Sequence, residues 1–203
     1  MSLKFIKNKK RFFAIFCTVS ALFFLMFGIV RLYAYRIAYA EKKLSGYDIN
    51  IFNTGCVIKT FGRGSSSVNA SVSFYTPTGT LIGSYERAWK GWELNIECIV
   101  FKFKKGCLVF PYRIFSDKTV GTGIVLFNMY TENNYPEIYK YSFFSEEEKQ
   151  LITVLFKSAV FSPYLLSLFS SAQIKTVTLR EFSPDSEYGL KILPSGEIIL
   201  SKS

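Results

Sequence analysis

Apolar residues run from Phe12 to Val30 without a single charge, nineteen positions in all. At about 1.5 Å per residue, a helix of that length nearly matches the ~30 Å hydrocarbon core of a bilayer. The pattern predicts a transmembrane helix over residues 12–30, with Phe12, Phe16, Leu22, Phe24, Leu25, Phe27 and Val30 in the membrane. A cleaved signal peptide has a shorter apolar core, followed closely by a small-x-small site. The nearest such triplet, Ala38-Tyr39-Ala40, lies well past Val30, with Arg31 and Arg36 in between. The segment therefore reads as an uncleaved anchor. Ala14, Ala21 and Gly28 recur every seventh position, a spacing that lets helices approach closely in lipid, and mark a possible helix–helix contact.

After the anchor the period changes. Residues 31–44 continue as a juxtamembrane helix or stalk, ending at Ser45-Gly46. From there to about Asn134 the dominant period is two, which marks strands. Val68, Ala70, Val72 and Phe74 alternate with polar neighbours, and Pro77-Thr78-Gly79 then turns the chain into a second run, Thr80 to Trp89. In the third run the apolar residues sit first at Trp92, Leu94, Ile96 and Cys98, then at Phe101 and Phe103. That one-residue shift predicts a bulge or sharp bend near Ile99-Val100. A turn at Lys104-Lys105-Gly106 leads to an apolar strand, Leu108 to Phe115, whose Pro111 predicts an edge position. Gly123 to Tyr130 reads as one more strand.

Helical signals return at Ser145, where Ser145 and Glu148 have the spacing of a capping box and Leu151, Ile152, Leu155, Ala159 and Val160 form one apolar face. Ser162-Pro163 ends this helix and starts a short second one, to about Ser171. Ile174–Phe182 reads as a strand, and a last hairpin, Tyr188–Leu193 with Glu197–Leu200, turns on Pro194-Ser195-Gly196. The predicted fold class is α+β: a single N-terminal transmembrane helix, then an antiparallel β-rich sandwich or partly open barrel with a C-terminal helix pair and hairpin. Residues 45–203 form one domain, since no linker divides them.

Charge refines this picture. The formal net charge of +10 in 203 residues suggests a polyanion partner, but its distribution argues otherwise. Residues 1–43 hold nine Lys or Arg against Glu41 alone, while residues 44–203 hold sixteen against fourteen acids. A nucleic-acid binder carries its basic stripe on the folded domain; this chain carries it on the membrane flanks, and no nucleic-acid partner is expected. Five basic residues precede the span, so the positive-inside rule predicts residues 1–11 in the cytoplasm and 45–203 as an extracytoplasmic domain.

Histidine is absent, which removes Ser-His-Asp and Cys-His catalysis and the commonest zinc ligand. Four cysteines (Cys17, Cys56, Cys98, Cys107) show no C-x-x-C spacing, and with Cys17 in the apolar run an odd three remain. These read as buried thiols rather than a disulfide framework. Glu93 and Glu97 share one strand face, but their Cα atoms lie about 13 Å apart, beyond the separation a glycosidase uses, so they read as a solvated face. Gly62-Arg63-Gly64-Ser65-Ser66-Ser67 lacks the Lys-Ser/Thr ending of a phosphate loop and precedes a strand, so it reads as a flexible turn. A basic and aromatic surface patch is expected from Trp89, Lys90, Trp92, Lys102, Lys104 and Lys105. No catalytic, metal or cofactor site is expected. The expectation is a non-catalytic single-pass envelope protein whose partners are the lipid bilayer, through its N-terminal helix, and other membrane or envelope proteins. A tethered binder of a lipid or other apolar ligand is the alternative; a carboxylate-based hydrolase ranks below both.

Overall fold

One helix, α1 (Ser2–Leu44), carries the apolar run and the stretch beyond it without a break over 43 residues. The computed structural model describes residues 2–49, 51, 53–119, 123–193 and 195–202, with side chains from Ile15 onward. The side chains of Phe12 and Ala14 lie outside the described residues, as does Pro194 of the last expected turn. Along α1 the large apolar side chains from Ile15 to Leu32 are exposed. The segment Ile15–Leu44 is long and apolar enough to cross a membrane. Beyond Leu32 the helix changes character: Ile37, Ala40 and Leu44, spaced three and four apart on one face, are fully buried.

Their partner is α2 (Glu146–Phe161), which runs antiparallel to α1. Lys43 Nζ lies 3.7 Å from Glu147 near the start of α2, while Tyr33 Oη donates to the Ser158 carbonyl at 3.3 Å near its end. The capping box at Ser145 is present in both directions: the Ser145 N–H donates to Glu148 Oε2 at 2.8 Å, and the Glu148 N–H to Ser145 Oγ at 3.2 Å. Leu151, Ile152, Leu155 and Ala159 are buried as the periodicity predicts. Val160 is not, at 46% exposure, because at 100° per residue it falls more than a quarter-turn off the face centred on Leu155 and Ala159. Ser162 ends α2 and caps α3 (Pro163–Phe169), whose only buried residue is Leu166.

The strands form antiparallel sheets, none closed on itself. Five make one sheet in the order β11 (Ile198–Lys202), β10 (Ser186–Ile192), β1 (Asn53–Arg63), β2 (Ser67–Tyr75), β3 (Leu81–Lys90). A second sheet has the order β6 (Ile124–Val125), β5 (Gly106–Ser116), β4 (Leu94–Phe103), β9 (Gln173–Leu179), and β7 (Thr131–Glu132) pairs with β8 (Tyr135–Pro136). On β2 the alternation holds: Val68, Ala70, Val72 and Phe74 point into a core shared by both sheets, α1 and α2. Phe110 sits among aromatic neighbours there, with ring centroids 5.9 Å from Phe101, 5.6 Å from Tyr139 and 5.3 Å from Phe156.

Three local expectations need correction. The irregularity in the β4–β5 pair lies between Glu97 and Cys98, not at Ile99-Val100, and the extra residue is Tyr112 on β5. From Cys98 to Phe101 β4 is buried on both faces, so the sequence shows the phase change only after the bulge has occurred. The hairpin turns on Lys104-Lys105, with Gly106 already paired to Phe103. The predicted strand from Gly123 to Tyr130 survives only as β6, after which Phe127–Met129 coils into a 3₁₀ turn. Leu126 and Phe127 thereby turn into the core, and Tyr130 Oη reaches the Pro111 carbonyl at 2.7 Å. Beyond β6 the β5 strand is an edge, as Pro111 implied, and tyrosine hydroxyls occupy it in place of a strand.

Candidate interaction surfaces

The residues of the expected basic and aromatic patch do not meet. Lys102, Lys104 and Lys105 lie at one end of β4, Lys90 and Trp92 at the other, separated by the full strand. Ten residues at about 3.3 Å each put these groups roughly 30 Å apart. Trp89, at 3% exposure, belongs to the core. The three lysines flank an open cleft of about 370 Å³, lined also by Asp48, Ile49, Gly106 and Gly196.

At the opposite end Trp92 serves the fold. The Arg63 guanidinium lies 4.1 Å from its ring centroid and donates to its carbonyl at 3.4 Å, tying the β1–β2 turn to the start of β4. Asp117 Oδ1 accepts from the backbone N–H groups of Trp92 (2.6 Å) and Glu93 (3.2 Å). Those backbone donors, Trp92 first, hold the Asp117 carboxyl below its ordinary value. The glycine- and serine-rich segment thus acts as a turn whose arginine is a structural clamp.

Each of the two strand carboxylates has its own arginine. Glu97 takes a two-pronged contact from Arg113, at 3.0 and 3.1 Å, and both side chains are largely buried. It is therefore not part of a solvated face, because the bulge at Tyr112 leaves Arg113 opposite it. Glu93 pairs with Arg180 at 2.9 Å in a more exposed setting. Cys56, Cys98 and Cys107 are buried free thiols, and burial pushes the Cys56 thiol up to about 12. Among the described residues, no group of three or more His, Cys, Asp or Glu is placed to hold a metal ion. On α1, Ala21 and Gly28 are exposed, and apart from the helix's own nearby backbone no described atom lies within 4 Å of a Cβ built on Gly28.

A different surface stands out, one that sequence reasoning treated as an ordinary strand. β3 is the last strand of the five-stranded sheet and, among the described residues, pairs only with β2. Glu86, Arg87 and Ala88 are exposed along it. Its underside is anchored by Trp89, with Tyr85 packed edge-on at 6.4 Å and the Arg87 guanidinium 5.6 Å from the Trp89 ring. The sequence signal is Glu86-Arg87, two adjacent charges within the run from Thr80 to Trp89. No protein-family model, curated protein or solved structure matches the chain.

Proposed function

We propose that this chain is a non-catalytic, single-pass membrane protein of a cell envelope, with its N-terminus in the cytoplasm and its β-rich domain outside. That domain binds other proteins in an assembly, and β3 is its contact edge. The two sheets are read as the leaves of a sandwich, because inward side chains of both enter one core.

The observation that carries the reading is the open edge of β3, ten residues long and hydrogen-bonded on one side only among the described residues. An extended segment of a partner adds to such an edge through main-chain hydrogen bonds. Glu86, Arg87 and Lys90 oppose indiscriminate pairing, as charges on edge strands do, and restrict the edge to a charge-matched partner. In native membranes, a photo-crosslinker at Ala88 is expected to give discrete protein adducts that one at Lys202 does not, and Arg87→Glu is expected to abolish them. Equal adduct patterns at the two sites, or none at Ala88, would count against the proposal.

A second reading, a tethered binder of a lipid or other apolar molecule, draws support from one groove. It measures about 350 Å³ and is lined by Phe127, Phe156, Val160 and Phe161 with Asn128 and Lys157 at its polar side. Mass spectrometry of the gently extracted full chain tests it: a stoichiometric small molecule supports this reading, and a bare chain removes it.

A further inference from the structure

The corner where α2 meets α3 carries an apolar surface that the domain itself does not cover. Phe161 is 77% exposed, Tyr164 58%, Leu165 50% and Leu168 71%. No charged residue occurs between Lys157 and Lys175, seventeen positions that include all of α3. Single exposed apolar residues need no explanation, but a contiguous group of this size marks a contact surface.

α1 shows where the corner lies. The uncharged run ends at Val30, and Tyr33 follows about 4.5 Å farther along the helix axis. Tyr33 is the residue that touches α2's last turn: its hydroxyl donates to the Ser158 carbonyl at 3.3 Å, and its ring centroid is 6.0 Å from that of Phe161. Headgroups extend roughly 5–7 Å beyond the hydrocarbon on each side. Phe161 is thus at headgroup depth. Lys157 lines the same groove as Phe161, and Arg31 and Arg36, both exposed, lie on α1 within one turn of Tyr33. Ser171, just after α3, returns to α1 at Glu41 through two 2.9 Å hydrogen bonds, which holds α3 against the same helix.

We infer that the α2–α3 corner is a second membrane contact, in which Phe161, Tyr164 and Leu165 rest in the interfacial layer of the bilayer that α1 crosses. The occupant is the lipid surface itself, with anionic headgroups matched to the flanking arginines and lysine. The inference depends on α1 being a membrane span, part of the reading above, but not on which side of the membrane the domain faces.

The test uses the full chain with Cys17 replaced by Ser, reconstituted into vesicles of mixed zwitterionic and anionic phospholipid. A nitroxide is placed singly at Phe161→Cys, Leu165→Cys, Phe24→Cys and Lys105→Cys, and its relaxation by oxygen is compared with that by a water-soluble nickel chelate. Lys105 lies past the far end of α1, where its carbonyl accepts from the Ile49 N–H. Labels at 161 and 165 are expected to have an oxygen-to-nickel ratio between that at position 24, where oxygen dominates, and that at 105, where nickel does. If position 24 is shielded but 161 and 165 respond to nickel as 105 does, the lipid contact is overturned while the anchor stands. Labels at 161 and 165 closed to both reagents mean that protein covers the corner, and also overturn it. Nickel access at position 24 removes the anchor reading and the inference with it.

Discussion

The hydroxyl of Tyr139 occupies the place of a neighbouring strand beside Val109. It donates to the Val109 carbonyl at 2.6 Å and accepts from the Val109 N–H at 2.8 Å. Both residues are fully buried, so water does not reach these main-chain groups. Burial holds the phenol far above its ordinary pKa, so it remains a donor throughout the stable range. Tyr139→Phe keeps the ring against Phe110 but leaves two buried main-chain groups unpaired, each costing about 1–3 kcal/mol. The expected result in urea unfolding is a loss of about 2–4 kcal/mol. Tyr130→Phe, which strips only the Pro111 carbonyl, should cost less; the reverse order would refute this account.

Glu97 and Arg113 should behave differently from Glu93 and Arg180. The first pair is largely sheltered, at 13% and 17% side-chain exposure. Glu97→Gln leaves a guanidinium that water barely reaches, and is expected to cost about 3 kcal/mol. Glu93→Gln, at the exposed pair, is expected to cost under about 1 kcal/mol. Replacing Glu97 and Arg113 together by Leu should restore part of the loss. Denaturation midpoints of the three variants check this, and equal losses for Glu97→Gln and Glu93→Gln would contradict it.

Asp117 makes the fold sensitive to acid. Its folded carboxyl sits below the ordinary value, so between the folded pKa and the unfolded one, about 3.9, the unfolded chain binds more protons. The stability it contributes is complete above that unfolded value and is lost as pH falls through the folded one. Asp117→Asn should flatten the decline in unfolding midpoint over this acid range. An unchanged slope would mean the backbone contacts at Trp92 and Glu93 do not govern it.

The buried thiols act at the other end of the scale. Cys56, raised to about 12 by burial, stays protonated in the fold while an unfolded cysteine ionises near 8.5. Stability is therefore complete below the unfolded value and declines as pH rises toward the folded one. With Cys17 replaced by Ser, an aromatic disulfide reagent at neutral pH is expected to react only as fast as the domain opens, and a reductant should leave the midpoint unchanged. Rapid burst labelling of Cys56 or Cys98 in the native state would refute their burial.

Gly106 offers a purely steric test. Its φ of +115° lies where side chains are strained, and a Cβ would run into the Ile49 carbonyl. Gly106→Ala is expected to cost about 2 kcal/mol or more and to expose the Ile49 N–H, which donates to the Lys105 carbonyl, to hydrogen exchange. Retained protection at Ile49 would show that the bridge tolerates a side chain.

How far the sequence discloses this arrangement depends on the range of the interaction. The Ser145–Glu148 box and the β2 alternation are set by residues within a few positions of each other, and both are plain in the chain. The lysines at 102, 104 and 105 stay together because one hairpin holds them. Trp89, Lys90 and Trp92 are almost as near in sequence, yet β4 carries them to the opposite end, a separation that composition does not encode. The Glu97–Arg113 pair depends on register, and register changed with a bulge whose extra residue, Tyr112, is on the partner strand. The tyrosines that complete β5 come from 3₁₀ turns that periodicity reads as strand or loop. Glu86-Arg87 marks exposed residues on β3, but that its edge lacks a neighbouring strand depends on what fails to pack there, which no local pattern announces.

The unbroken course of α1 from the apolar run to Leu44 also has a mechanical meaning. With Ile37, Ala40 and Leu44 locked against α2, no swivel separates the span from the sheets. On the proposed reading the β-rich domain would have a fixed bearing: a partner gripping β3 would turn a shaft that continues into the bilayer, and torque applied to that shaft would swing β3 with it.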